Sequence, residues 1–225
     1  MAVSPSDLER FSELVAASPT RLDEVALLIA SHVAGPLDLA AELDRLDQLA
    51  GAVATPTMDA LVAQLFGPGG FTGNSVDYYH PDNSYLNRVL DRRLGIPVTL
   101  CLLAHEVGHR VGVVTTMVGM PGHFLLGDAT SPDRYVDPFN GARLLNTSEV
   151  EQLFRSLGGS GWDAAYLAPT EPLHVIRRIL ANLHRIATDR RDFVAEYRLL
   201  QLVTVIPGTT AHGHDRLDQL QSRFN

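Results

Sequence analysis

Apolar positions recur at three- and four-residue spacing through the first 66 residues, which predicts a run of short amphipathic helices. Leu8, Phe11, Leu14 and Val15 share one face of the first, with Ser4 or Ser6 as its cap. Thr20 caps a second that carries Leu22, Val25, Ala26, Leu28 and Ile29 and stops at Gly35-Pro36. Leu39, Leu43, Leu46, Leu49 and Ala50 mark a third, and Leu61, Val62 and Leu65 a fourth over about 57–66. Segment 67–83 breaks the pattern with glycines, prolines, Asn and Asp, and reads as a loop with local turns.

A short helix is expected over 84–93. From Pro97, a good first helical residue, 98–111 reads as a mostly apolar, buried helix closed by Gly112. The period then changes. Residues 113–119 and 123–127 are β-branched or apolar runs separated by Pro121-Gly122, and 134–137 makes a third short strand. Helices resume near 148–157, 171–188 and 190–204, with a last one at 214–223. Helices, then one helix feeding a small antiparallel sheet, then helices again is an α+β pattern. Three stretches follow: an N-terminal helical region (1–66), a core (67–147) and a C-terminal helical segment (148–225).

Composition agrees with a folded chain, since 45% of residues are apolar and 20% charged. The formal net charge of −8 and the lack of a basic cluster argue against nucleic acid or an anionic membrane as partner. No apolar run approaches the roughly 20 residues that span a bilayer. The single cysteine excludes an internal disulfide and suits a reducing compartment. With no basic start and apolar run at the N-terminus, the expected location is the cytoplasm.

Two chemical patterns share helix 98–111. His105-Glu106-Val107-Gly108-His109 is an HExxH pattern: histidines at i and i+4 face one side and can share a zinc ion, with the glutamate as general base. The extended form would take its third ligand from position 115, which is Thr115; Asp137 and His123 are other candidates. The plainer alternative leaves both histidines as ordinary helix residues. The second pattern is Cys101, near the start of the helix, followed by His123 at a strand start and Asp137 on the next strand. A thiol there feels the helix dipole, a histidine can take its proton, and an aspartate can hold the ring. Each residue also has a structural reading: a core thiol, a buried histidine, a turn-forming aspartate before Pro138.

Four blocks point to a family. They are Asp82-Asn83-Ser84-Tyr85-Leu86; Val89-Leu90-Asp91-Arg92-Arg93-Leu94-Gly95-Ile96-Pro97-Val98-Thr99-Leu100; Gly119-Met120-Pro121-Gly122-His123-Phe124-Leu125-Leu126; and Val136-Asp137-Pro138-Phe139-Asn140-Gly141. In this order and spacing they resemble the SirB family of transglutaminase-like proteins, and 171–204 resembles that family's TPR-like helical tail. The resemblance implies a core related to papain-like cysteine peptidases, with acyl transfer from an amide through a thioester. It makes Cys101 the nucleophile, His123 the base and acid, and Asp137 the orienting residue, with no cofactor and no metal. Transglutaminases carry their cysteine about one helical turn farther from the helix end than Cys101 stands from Gly112, and many members of the resembling family have Ser or Ala at this position. The family frame also fits Glu106, Val107, Gly108, Arg110 and Gly112, which makes His105 and His109 substitutions within a helix of known identity.

Three functions follow as expectations: a cysteine-dependent amidase, peptidase or acyltransferase; a non-catalytic module binding a protein or peptide; and a zinc hydrolase. Arg92 and Arg93 are expected at the surface or in salt bridges, Asn83 and Asn140 beside the site, and Trp162 in packing.

Overall fold

The computed structural model describes residues 5–18 and 20–208. Four helices open the chain: α1 (Pro5–Ala16), α2 (Leu22–Ala34), α3 (Leu39–Gly51) and α4 (Met58–Phe66). Their starts follow capping chemistry, with the Asp38 and Thr57 side chains accepting from the amides of Ala41 and Ala60. α2 is buried nearly all round, polar residues included. Most of its polar groups are matched: the Ser31 hydroxyl donates to Asp7, and His32 Nε2 meets Gln201 Oε1 at 3.2 Å, while His32 Nδ1 is buried without a partner.

The expected loop contains more order than its composition suggests. β1 (Thr72–Gly73) pairs in parallel with β2 (Leu94–Gly95), and a 3₁₀ turn over Pro81–Asn83 leads into α5 (Leu86–Arg92). Arg93 ends α5 in the left-handed region at φ 56°, which turns the chain into β2.

α6 (Pro97–Arg110) is the helix around which the site is built. Pro97 starts it and Gly112, at φ 77°, follows its end. Thr99 secures its first turn: Oγ1 accepts from the Ile96 amide and donates to the Asn83 carbonyl at 2.7 Å. The antiparallel sheet runs in the order β3 (Thr115–Met120), β4 (His123–Asp128), β5 (Tyr135–Asp137), β6 (Arg143–Leu145). β6 was not foreseen, because a three-residue strand with two exposed positions has no periodicity to read. Gly122, at φ 83°, allows the tight β3–β4 turn.

The sheet has two buried faces. Met117, Phe124, Leu126 and Val136 join the main core with α1–α6, α8 (Pro172–Asp189) and α9 (Phe193–Thr204). The alternating residues Val118, Leu125 and Tyr135 pack under α7 (Thr147–Ser156) in a second cluster. Trp162 lies there, ring to ring with Phe154 at 5.5 Å. The fold is therefore α+β, with a sheet between the helical core and α7. The expected last helix at 214–223 lies outside the described residues. Among those described, no helix is long and apolar enough to cross a membrane.

Candidate functional site

Strand register brings the histidine and the aspartate together. β4 pairs with β5 through Leu126↔Val136 and Gly127↔Tyr135. Beyond that ladder, β4 begins at His123 and β5 ends at Asp137, so the antiparallel pair brings both residues to the same end of the sheet. His123 Nε2 lies 2.9 Å from Asp137 Oδ1, and both residues are buried. Asn140 completes the carboxylate's shell: its amide side chain donates to Oδ2 at 2.7 Å and its backbone N–H to Oδ1 at 3.2 Å. Burial pushes the Asp137 pKa up, but the bonds from His123 and Asn140 and the charge of His123 outweigh it and hold the carboxyl below the usual range. Nε2 is thus the ring nitrogen that faces the ionised carboxylate and donates to it, and Nδ1 is left for another partner.

Phe139 stands edge-on to the His123 ring, centroids 6.1 Å apart, and Tyr78 packs edge-on against Phe139 at 5.6 Å. Tyr78 belongs to a loop pinned by Asn83, whose side-chain amide donates to the carbonyls of Asp77 and Tyr78 and whose Oδ1 accepts from Asn74 and Arg92. Arg92 is accordingly no simple surface charge; it is half-buried and bound to a buried amide. His123 borders a hollow of about 10 Å³ with Tyr78, Pro97, Val98, Gly122, Arg178 and Asn182. That is about one water's worth of space.

Cys101 is not bonded to this pair. It is 0% exposed, inside the main hydrophobic core, and makes no hydrogen bond to His123. Burial, and secondly the Asp137 charge, push its thiol pKa well above normal. The residues of α6 that line the His123 hollow are Pro97 and Val98, about one turn before Cys101.

The HExxH residues lie toward the other end of α6. His105 Nδ1 meets Thr115 Oγ1 at 2.8 Å, and His109 is exposed. Glu106 is buried; desolvation, and secondly the Asp23 charge, push its pKa up to about 7 against the opposing charge of Arg110. Arg110 binds Asp23, Asp47 and Glu106 together. Among the described residues no group of three or more His, Cys, Asp or Glu is placed to hold a metal ion.

A buried His–Asp pair on adjacent strands, set at the N-terminal end of a buried helix, is the geometry expected of a transglutaminase-like core. The chain belongs to the transglutaminase-like superfamily, whose family model matches residues 20–181, more than two-thirds of its length. It is 41% identical over 156 residues to a UPF0162 protein of Xylella fastidiosa, covering 65% of this chain and 56% of that protein. A UPF0162 protein of Pseudomonas aeruginosa is 29% identical over 212 residues, covering 90% of this chain and 78% of its own. Human F-box only protein 21 is 30% identical over 154 residues, 64% of this chain but 24% of that one. The chain thus spans only about half the length of the Xylella relative. No solved structure matches it.

Some site features were not legible in the sequence. Gly73 is one: a Cβ there would lie 2.3 Å from the Phe139 carbonyl oxygen and 2.5 Å from its ring, so the β1 backbone can approach Phe139 only with glycine. Two adjacent strand residues carry no signal of that contact.

Proposed function

We propose that the protein is a binding module on a transglutaminase-like fold, engaging a protein or peptide at the His123 end of α6 without thiol chemistry. The observation that carries this reading is the burial of Cys101: a thiol with no access, a raised pKa and no bond to the histidine is a poor nucleophile. The recognition surface is the rim of the His123 hollow. Tyr79, 51% exposed, follows Tyr78 in the chain, Arg185 lies over its ring at 4.2 Å from the centroid, and Val76, 98% exposed, belongs to the same loop. Exposed apolar and aromatic groups beside guanidinium groups are the composition of protein-binding patches. A reducing, cytoplasmic setting belongs to this reading, on the strength of the single free thiol.

A second reading is acyl transfer through Cys101, His123 and Asp137. It is favoured by the intact His123–Asp137 pair with Nδ1 unengaged and requires α6 to move so that the thiol reaches that nitrogen.

One pair of measurements separates them. The protein is incubated with glutamine-containing peptides, with and without a primary amine, and product is followed by mass spectrometry. In parallel, a photo-crosslinker at position 76 or 79 is used in the native host, with exposed position 114, at the far end of the β3–β4 hairpin from His123, as the control. The binding reading expects no turnover and a partner captured from 76 or 79 but not from 114, unchanged in Cys101→Ala. Turnover that disappears in a folded Cys101→Ala variant would overturn it.

A further inference from the structure

The C-terminal half of α6 borders an open cleft of about 1150 Å³, lined also by the end of α1, the start of α2 and the start of α8. His105 is seven residues from Val98, so the cleft lies about 10 Å along the helix from the His123 hollow. Its volume is that of a small-molecule site. Leu22 and Leu173 supply apolar wall.

The polar groups of the cleft are unevenly committed. Its inner carboxylates are already taken: Asp23 accepts from Arg110 and pairs with Arg21, Asp47 binds Arg110 Nε, and Glu106 pairs with Arg110 at 3.4 Å. Burial and the Asp23 charge also push the Glu106 carboxyl up to about 7, which weakens it as a fixed negative charge. Donors, by contrast, are left over. His105 uses only Nδ1, on Thr115. His109 and His174, both exposed, line the cleft with no side-chain hydrogen bond. Arg177 spends one nitrogen on the Pro207 carbonyl, at 2.6 Å, leaving the rest of its fork. The first turn of α8 opens into the same space without a side-chain cap, and the Leu173 amide has no acceptor. An uncapped helix N-terminus, three imidazoles and a partly free guanidinium in one cleft make a donor-rich cavity. Glu171 is the one lining acid with no side-chain partner, and it is exposed.

We propose that this cleft is a ligand site separate from the His123 hollow, taking a small amphipathic acid. Its carboxylate or phosphate head meets the start of α8, His174, His109 and Arg177; its apolar body lies against Leu22 and Leu173.

Four probes test the assignment by titration calorimetry and by chemical-shift mapping on the intact chain: octanoate, octyl phosphate, acetate and inorganic phosphate. Saturable binding of octanoate or octyl phosphate is expected, at least tenfold tighter than the matching short ion, with shifts confined to Leu22, His105, His109, His174, Arg177 and the first turn of α8. Which of the two long probes binds more tightly identifies the head group. Arg177→Ala and His109→Ala each weaken binding at least fivefold, while Glu171→Gln tightens it severalfold, a gain that a merely structural role would not produce. Melting temperature and the near-ultraviolet spectrum of Trp162 report that the variants are folded. Absence of saturable binding by all four probes, shifts centred on His123, or affinities unchanged in the Arg177 and His109 variants would overturn the proposal.

Discussion

His123 Nε2 and Asp137 Oδ1 stand 2.9 Å apart on neighbouring strands, with Asn140 closing the carboxylate from the other side. The Asp137 carboxyl is held below its usual pKa, so the folded state keeps it ionised where the unfolded chain begins to protonate it. A depressed folded pKa gives stability that is present above the unfolded value, near pH 4, and is lost as pH falls through the folded one. Asp137→Asn is therefore expected to cost about 2 kcal/mol at pH 7, with the gap to the parent protein narrowing below about pH 4. Urea unfolding at both pH values measures it. Nitrogen shifts of His123 should show Nε2–H in the parent and a weakened preference in the variant.

Cys101 is expected to resist thiol reagents in the native state. At pH 8 its modification should proceed only as fast as the molecule unfolds, and become immediate in denaturant, because no local path reaches a fully buried sulfur. Fast labelling in native buffer would sink this expectation and the binding-module reading with it. Cys101→Ala should cost about 1–2 kcal/mol, as a small cavity in a packed core does.

Gly73→Ala places a methyl against the Phe139 carbonyl and ring. Relief requires moving Phe139, which stands edge-on to His123. The expected cost is about 1–3 kcal/mol, together with a shifted His123 ring resonance, since the aromatic edge that borders it moves. An unshifted resonance in a destabilised variant would dissociate Gly73 from the site.

Glu106 carries the opposite linkage to Asp137. Its folded pKa of about 7 lies above its unfolded value, so the folded state binds a proton more tightly. Stability is lost as pH rises from about 4 to about 7 and is level above that. Glu106→Gln removes the titration and keeps the shape. Relative to the parent, the variant should gain about 1–3 kcal/mol between pH 4 and pH 8. Melting curves across that range test both sign and size.

Much of the architecture was readable because it rests on local periodicity. The apolar spacing in α1–α4, the Pro97 start and Gly112 stop of α6, and the β3–β4 turn at Pro121-Gly122 each carry their signal within a few residues. The candidate site was readable in part for the same reason: His123 and Asp137 occupy strand positions whose pairing follows from short connections. The structure, in turn, pairs Arg92 with Asn83 where a surface charge was expected, and reveals β6 and the Gly73–Phe139 contact, which have no local signature.

By itself, then, the sequence determined the long helices and strands β3–β5, that the chain is α+β, and which residue types stand near the β4–β5 strands. Only tertiary structure decided what those residues do. Whether Cys101 meets His123 depends on which turn of α6 lies beside the end of β4, a matter of how a buried helix packs against a sheet, and Pro97 and Val98 are the residues beside it. Whether the HExxH residues are inert depends likewise on what faces them, and α1, α2 and α8 line an open cleft there. Periodicity is a short-range property of the chain; helix rotation and cavity shape come from contacts between residues far apart in sequence, and those are set by packing.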